Sequence, residues 1–210
     1  VKPPRQTDVA RAARLVAIGS STGGPAALMQ LFGAFGKPPP CAFVVSQHMP
    51  EGFTRGFAER LDRMTAFRAR EAADGDAPRP GVVLVAPGGS HLEFEARGGQ
   101  PVVRLLRRAA GDKYAPSVDR MFASAAKHFG HDLLAVVLTG MGDDGRAGVL
   151  AVKRSGGNVI AESEETAVIF GMPQQAIRAG AVDAVMPLPE IAPVIQSGFA
   201  ESPADAEGSS

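Results

Sequence analysis

One serine, two histidines and two aspartates are the residues whose types and spacing point to chemistry. Gly19-Ser20-Ser21-Thr22-Gly23 fits the pattern G-x-S-x-G with Ser21 at its centre. It lies directly after the apolar run Leu15-Val16-Ala17-Ile18 and shortly before Ala26 to Phe32, which reads as a helix. Strand, tight turn and helix in that order form the setting that presents a serine hydroxyl as a nucleophile, and the register picks Ser21 over Ser20. Flanking glycines permit a strained turn and keep Cβ atoms away from a substrate. N–H groups of the helix start, with Pro25 suited to its first turn, can meet a developing oxyanion. The same residues also read as a plain connection with a serine capping the helix, because such turns favour Ser, Thr and Gly. They do not read as a phosphate cradle. Gly19 and Gly24 have the glycine spacing of a P-loop, but Pro25-Ala26 stand where its lysine and hydroxyl belong. The dinucleotide fingerprint fails as well, with Ser21 in place of its second glycine.

A serine hydroxyl is a poor nucleophile without a base to take its proton, and the base needs a carboxylate to orient it. Of the four histidines, His128 lies near the end of an amphipathic stretch and His131 at the amino end of a strand-like run, on the wrong edge for this work. His48 and His91 both follow strand-like runs at their carboxyl ends. His48 is closer to its run, which is expected to pack beside the first, so it is the better base. His91 is the alternative, or lines the cleft or caps a hairpin. For the acid, Asp143 and Asp144 share the glycine-flanked loop Gly140-Met-Gly-Asp-Asp-Gly145, and spacing leaves both open. No nearby histidine or third acid completes an oxygen-rich shell around that pair, so no metal or other cofactor is expected. An α/β-hydrolase places its histidine after the acid, and no histidine follows residue 131, so the order Ser21, His48, Asp143/144 excludes that fold.

These residues need a scaffold that brings loops to one edge. Short apolar runs at Leu15 to Ile18, Ala42 to Ser46, Val82 to Ala86, Leu133 to Leu138 and Asn158 to Ala161 alternate with helix-length amphipathic stretches. The alternation predicts one three-layer α/β domain, a mainly parallel doubly wound sheet covered on both faces. The clearest helix is Val118 to Phe129. Its apolar residues 118, 121, 122, 125, 126 and 129 make one stripe, Ser117 signals its start and Gly130 its stop. Residues 91–108 hold two strand-like runs about Gly98-Gly99 and predict an inserted antiparallel hairpin. In an open parallel sheet, ligands gather at the carboxyl ends of the strands, and the loops carrying Ser21, His48, His91 and Asp143/144 all lie there.

Composition excludes more than it identifies. The 22 basic and 22 acidic side chains cancel, so no nucleic-acid or anionic-membrane partner is indicated. Arg104, Arg107, Arg108 and Lys113 read either as the solvated, charge-protected edge of the hairpin or as a contact for an acidic partner surface, and Arg55 and Arg60 as a rim near His48. The single Cys41 opens an apolar run and reads as a buried small hydrophobe. No apolar stretch is long enough to span a membrane and no signal peptide is visible, so a cytoplasmic protein is expected. Residues 1–14 read as a linker, 15–197 as the domain and 198–210 as an unpacked, disordered tail.

The stretches "IGSSTGGP", "SQHMP", "VAPGGSHLEF", "PSVDRMF", "LTGMGDDGRAG" and "FGMPQQAI" together resemble the catalytic domain of the chemotaxis protein-glutamate methylesterases, the CheB family, over about residues 14 to 195. The resemblance implies a serine hydrolase with nucleophile Ser21, base His48 and acid Asp144. It also implies the Met141 N–H as an oxyanion donor, with Thr22, Gly23 and His91 near the site. Its substrates would be γ-glutamyl methyl esters on the helical cytoplasmic region of chemoreceptors, and receptor glutamines, which many such enzymes deamidate. The turn has Gly-Ser-Ser where the family often has Gly-Ala-Ser. The family's N-terminal receiver domain is missing from the sequence, and "VKPPRQTDVARAAR" resembles the end of the linker to it. The alternatives are a catalytically silent docking module and a serine esterase or amidase of other substrates.

Overall fold

Apolar runs with β-branched residues form strands where both faces can be covered, and five of the seven strands of the main sheet arise this way in the computed structural model, which describes residues 9, 10 and 13–199. In chain order the elements are β1 (Leu15–Ser20), α1 (Gly24–Gly33), β2 (Ala42–Gln47), α2 (Phe53–Met64), β3 (Arg68–Glu71), β4 (Val82–Val85), β5 (Ser90–Arg97), β6 (Gln100–Arg107), α3 (Val118–Phe129), β7 (Leu133–Val137), α4 (Arg146–Arg154), β8 (Asn158–Glu162), α5 (Met172–Arg178), β9 (Ala184–Met186) and α6 (Leu188–Ser197). The main sheet is parallel throughout, in the order β3-β4-β2-β1-β7-β8-β9.

β1 and β2 are buried at every position, and their side chains divide between two cores. Val16 and Ile18 point into one with Leu28, Phe32 and Leu61, and with Ile191 from α6. Leu15 and Ala17 point into the other with Val118, Phe122, Val149 and Leu92. The three-layer, doubly wound expectation therefore holds. The inserted hairpin is also present as β5 and β6, a separate antiparallel pair. Its turn residues Gly98 and Gly99 both have positive φ, 59° and 79°, the left-handed pair a two-residue hairpin turn requires.

Two expectations change. Strands β3 and β9 are additional. The reading of residues 1–14 as an unpacked linker is corrected where that segment is described, because Val9, Ala10 and Ala13 are buried in the first core. Gly198 backs directly onto Ala10, close enough that a Cβ there would lie 2.4 Å from the Ala10 carbonyl oxygen. Residues 1–8, 11–12 and 200–210 of the two end segments lie outside the described residues.

Strand β1 is followed by β2 on one side of it and is flanked by β7 on the other. Sheet order reverses there, and the crevice lies beyond the carboxyl ends of these strands.

Candidate active site

The Gly19–Gly23 turn is set by hydrogen bonds to the segments that follow β2 and β7. His48 N–H donates to the Ser20 carbonyl at 3.0 Å, and Ser21 N–H donates to the Thr139 carbonyl at 3.0 Å. The two serines then diverge. Ser20 is buried and its hydroxyl donates to Gln47 Oε1 at 2.6 Å. Ser21 is only partly buried. The cap of α1 is Gly23, in the left-handed region at φ 82°, with no side-chain cap bond. Ser21 is therefore not the helix cap that the plain reading of the turn required. A Cβ on Gly23 would lie 2.8 Å from Val168 Cβ, so packing as well as φ demands glycine. Gln47, which the sequence reading passed over, holds the turn from behind, its Nε2 donating to the carbonyls of Ser21 at 2.9 Å and His48 at 3.1 Å.

The structure separates the two aspartates. Asp143 is exposed and pairs with Lys113 at 2.7 Å. Asp144 points inward, with 2% of its side chain exposed, and lies 2.8 Å from His48 Nε2. It accepts three further hydrogen bonds at the start of α3, from Ser117 Oγ (3.0 Å), Val118 N–H (2.7 Å) and Asp119 N–H (2.8 Å). The carboxylate thus sits where helix N–H groups and the positive end of the dipole favour an anion. Burial acts to raise its pKa, but the His48 bond and the Asp119 and Val118 amides outweigh it and hold the group below the usual carboxylate value.

Asp119 returns the favour. Its Oδ1 accepts from Gly145 N–H at 2.9 Å and Gly148 N–H, capping α4, whose own cap position is a glycine without a side-chain bond. Burial first, then the charge of Asp144, raises the Asp119 pKa against these amides.

His48 is flanked by Tyr114, the only tyrosine, whose ring is stacked on the imidazole at 4.5 Å and 9°. Nothing in the spacing signalled Tyr114. The Met141 side chain is exposed, and among the described residues its N–H donates to no protein acceptor, leaving it free for a substrate oxygen. Gly140, just before it, is packed on Ser21: a Cβ there would lie 2.9 Å from Ser21 Cβ. Thr22 is exposed, and its carbonyl accepts from Thr139 Oγ1 at 2.9 Å.

His91 bonds to none of Ser21, His48 and Asp144. It is fully buried on β5 and its Nε2 bonds Asp112 Oδ2 at 2.8 Å. It pins the hairpin to the loop that carries Tyr114. Arg55 and Arg107 face Glu51 and Glu71 across a neighbouring cleft, in which Arg55 lies 3.7 Å from Glu71. Arg60 does not line that cleft. Among the described residues, no group of three or more His, Cys, Asp or Glu side chains is arranged to hold a metal ion, and no helix is long and apolar enough to cross a membrane.

Residues 16–195 match the family described as CheB methylesterase. The chain belongs to this family. The fold agrees with the crystal structure of the Thermotoga maritima CheB methylesterase catalytic domain at a TM-score of 0.83 and 42% identity, over 88% of this chain and 98% of that one. A Geobacter sulfurreducens protein named protein-glutamate methylesterase/protein-glutamine glutaminase 3 is 53% identical over 174 residues, 83% of this chain and 47% of its own length. A Myxococcus xanthus protein of the same name, numbered 1, is 50% identical over 182 residues, 86% of this chain and 52% of its own. The chain thus spans about half the length of these CheB relatives.

Proposed function

We propose that this CheB-family chain is a serine hydrolase that removes methyl groups from γ-glutamyl methyl esters of chemoreceptors and also deamidates receptor glutamines. The observation that carries the reading is the buried Asp144 held 2.8 Å from His48 Nε2, beside a turn in which Ser20 is buried and Ser21 is left accessible. The two-part name of the Geobacter and Myxococcus relatives supports both activities.

In this reading Asp144 takes up Nε2–H of His48, so the nitrogen left for Ser21 is Nδ1, the reverse of the serine-protease template. Ser21 Oγ attacks the γ-carbonyl carbon as its proton passes to His48. The oxyanion is met by the Met141 N–H, and the collapsing intermediate expels the methoxy group, which takes the proton from the His48 imidazolium and leaves as methanol. Water, deprotonated by the same imidazole, then releases the glutamate and regenerates Ser21. With a glutamine substrate the leaving group is ammonia. Asp144 keeps the tautomer and stabilises the imidazolium. The partner is the helical cytoplasmic region of a chemoreceptor, so the chain acts in the cytoplasm without inserting into the membrane.

Methanol release from methylated receptor membranes tests this. Ser21→Ala is expected to abolish it at unchanged thermal stability, and substantial residual release would place the nucleophile elsewhere.

A further inference from the structure

Strand β8 ends in a carboxylate that the reaction itself does not use. Glu162 is fully buried, and among the described residues no basic side chain pairs with it. Its Oε2 accepts the Thr139 N–H at 2.7 Å and its Oε1 accepts the Thr166 hydroxyl at 3.0 Å. Burial raises its pKa, against the bonds from Thr139 and Thr166. An uncompensated buried carboxylate is costly to keep, which asks what it holds in place.

Thr139 is the junction. The ladder between β7 and β8 ends at Val137 opposite Ala161, and Leu138 N–H still reaches the Gly19 carbonyl at 2.9 Å. At Thr139 the chain leaves the ladder, and the Glu162 carboxylate replaces the missing backbone acceptor. Thr139 then faces the nucleophile turn with its remaining groups. Its carbonyl accepts the Ser21 N–H at 3.0 Å, and its hydroxyl donates to the Thr22 carbonyl at 2.9 Å and accepts the Ile169 N–H at 2.9 Å. Two residues further on is Met141.

We infer that Glu162 is a positioning residue. By fixing the Thr139 peptide it sets Ser21 on one side and the Met141 N–H on the other at their working separation. The inference rests on Ser21 being the nucleophile, as proposed above.

The test compares Glu162→Ala, Glu162→Asp, Glu162→Gln and Ser21→Ala in the full 210-residue chain, with methanol release for kcat and KM and a fluorophosphonate probe for the titre and labelling rate of the active serine. A displaced reacting group of this kind costs up to about 100-fold, so Ala and Asp are each expected to lower kcat per titrated serine by about 10- to 100-fold at unchanged KM. The labelling rate should fall in parallel. Gln keeps an acceptor for the Thr139 N–H and should restore kcat to within about threefold. Asp retains the buried charge but withdraws it by one methylene, so it separates position from charge and provides a second variant if Ala does not fold. Wild-type kcat per titrated serine in the Ala or Asp variant, with Ser21→Ala inactive, overturns the inference alone. An active Ser21→Ala overturns the nucleophile assignment and the inference with it.

Discussion

Asp144→Asn removes a charge while keeping a shape, and the structure says why the shape is not enough. Oδ2 receives His48 Nε2–H and Val118 N–H, and Oδ1 receives the Ser117 hydroxyl and Asp119 N–H. An amide has one oxygen. With that oxygen toward Ser117 and Asp119, the new NH₂ faces the Val118 and His48 donors. Flipped, it faces the Asp119 N–H, although the Ser117 hydroxyl could then accept. In both orientations at least one buried N–H loses its acceptor, at a cost of about 1–3 kcal/mol. At roughly 3 °C per kcal/mol for a domain of this size, the melting temperature at pH 7 should fall by about 3–9 °C. Methanol release should fall about 10⁴-fold, the loss expected when the base is left in the wrong tautomer.

The pH dependence has a definite sign. The folded pKa of Asp144 is depressed, so its contribution is fully present above the unfolded value of about 3.9 and is lost as pH falls through the folded value. The stability gap between wild type and the Asn variant should therefore be full at pH 7 and narrow below about pH 4. Thermal unfolding followed by circular dichroism across that range reads it. An Asn variant that melts with wild type at pH 7, or a gap that widens on acidification, would refute the assignment of Asp144 as both acid and helix anchor.

Three further outcomes follow from neighbouring residues. Asp143→Asn should keep kcat within about threefold, because an exposed pair such as Asp143–Lys113 contributes little; a loss comparable to that of Asp144→Asn would exchange the two roles. Tyr114→Ala should lower kcat by about 3- to 10-fold, the value of a stacked ring pair, while Tyr114→Phe keeps the stacked face and should be near wild type; equal loss in both would assign the effect to the phenol hydroxyl. Burial pushes the Cys41 thiol up to about 12, so iodoacetamide at pH 8 should modify it only after unfolding in guanidinium, and rapid native labelling detected by mass spectrometry would contradict its place in the core.

What was legible in the sequence divides along physical lines. Periodicity works where one face of an element is buried, and α3 was read with the bounds it has, Val118 to Phe129. It fails at sheet edges. β3 is Arg-Ala-Arg-Glu with one of its four residues buried, and β9 is an apolar run of only three residues, Ala-Val-Met, so neither gives a strand-length apolar signal. Ser21, His48 and the Asp143-Asp144 loop were legible because chain order alone places them after strands, and in a parallel sheet every such loop opens on one edge. His91 satisfied the same positional rule, and its ring bonds Asp112. It opens the inserted hairpin, outside the main sheet, where the rule does not apply.

Position along the chain also cannot choose between adjacent aspartates, because a loop has no fixed side-chain period, and here Asp143 faces solvent while Asp144 faces inward. That choice is made across 25 or more residues by a reciprocal arrangement, Asp144 anchoring the start of α3 and Asp119 in α3 capping α4. Each helix start is stabilised by a carboxylate from the other, so neither helix can shift without moving the acid that orients His48. Ser117-Val118-Asp119 and Asp144-Gly145 each look like an ordinary helix-start signal. Only their pairing in space makes them one device, and it ties the stability of two helices to the placement of the His48 ring.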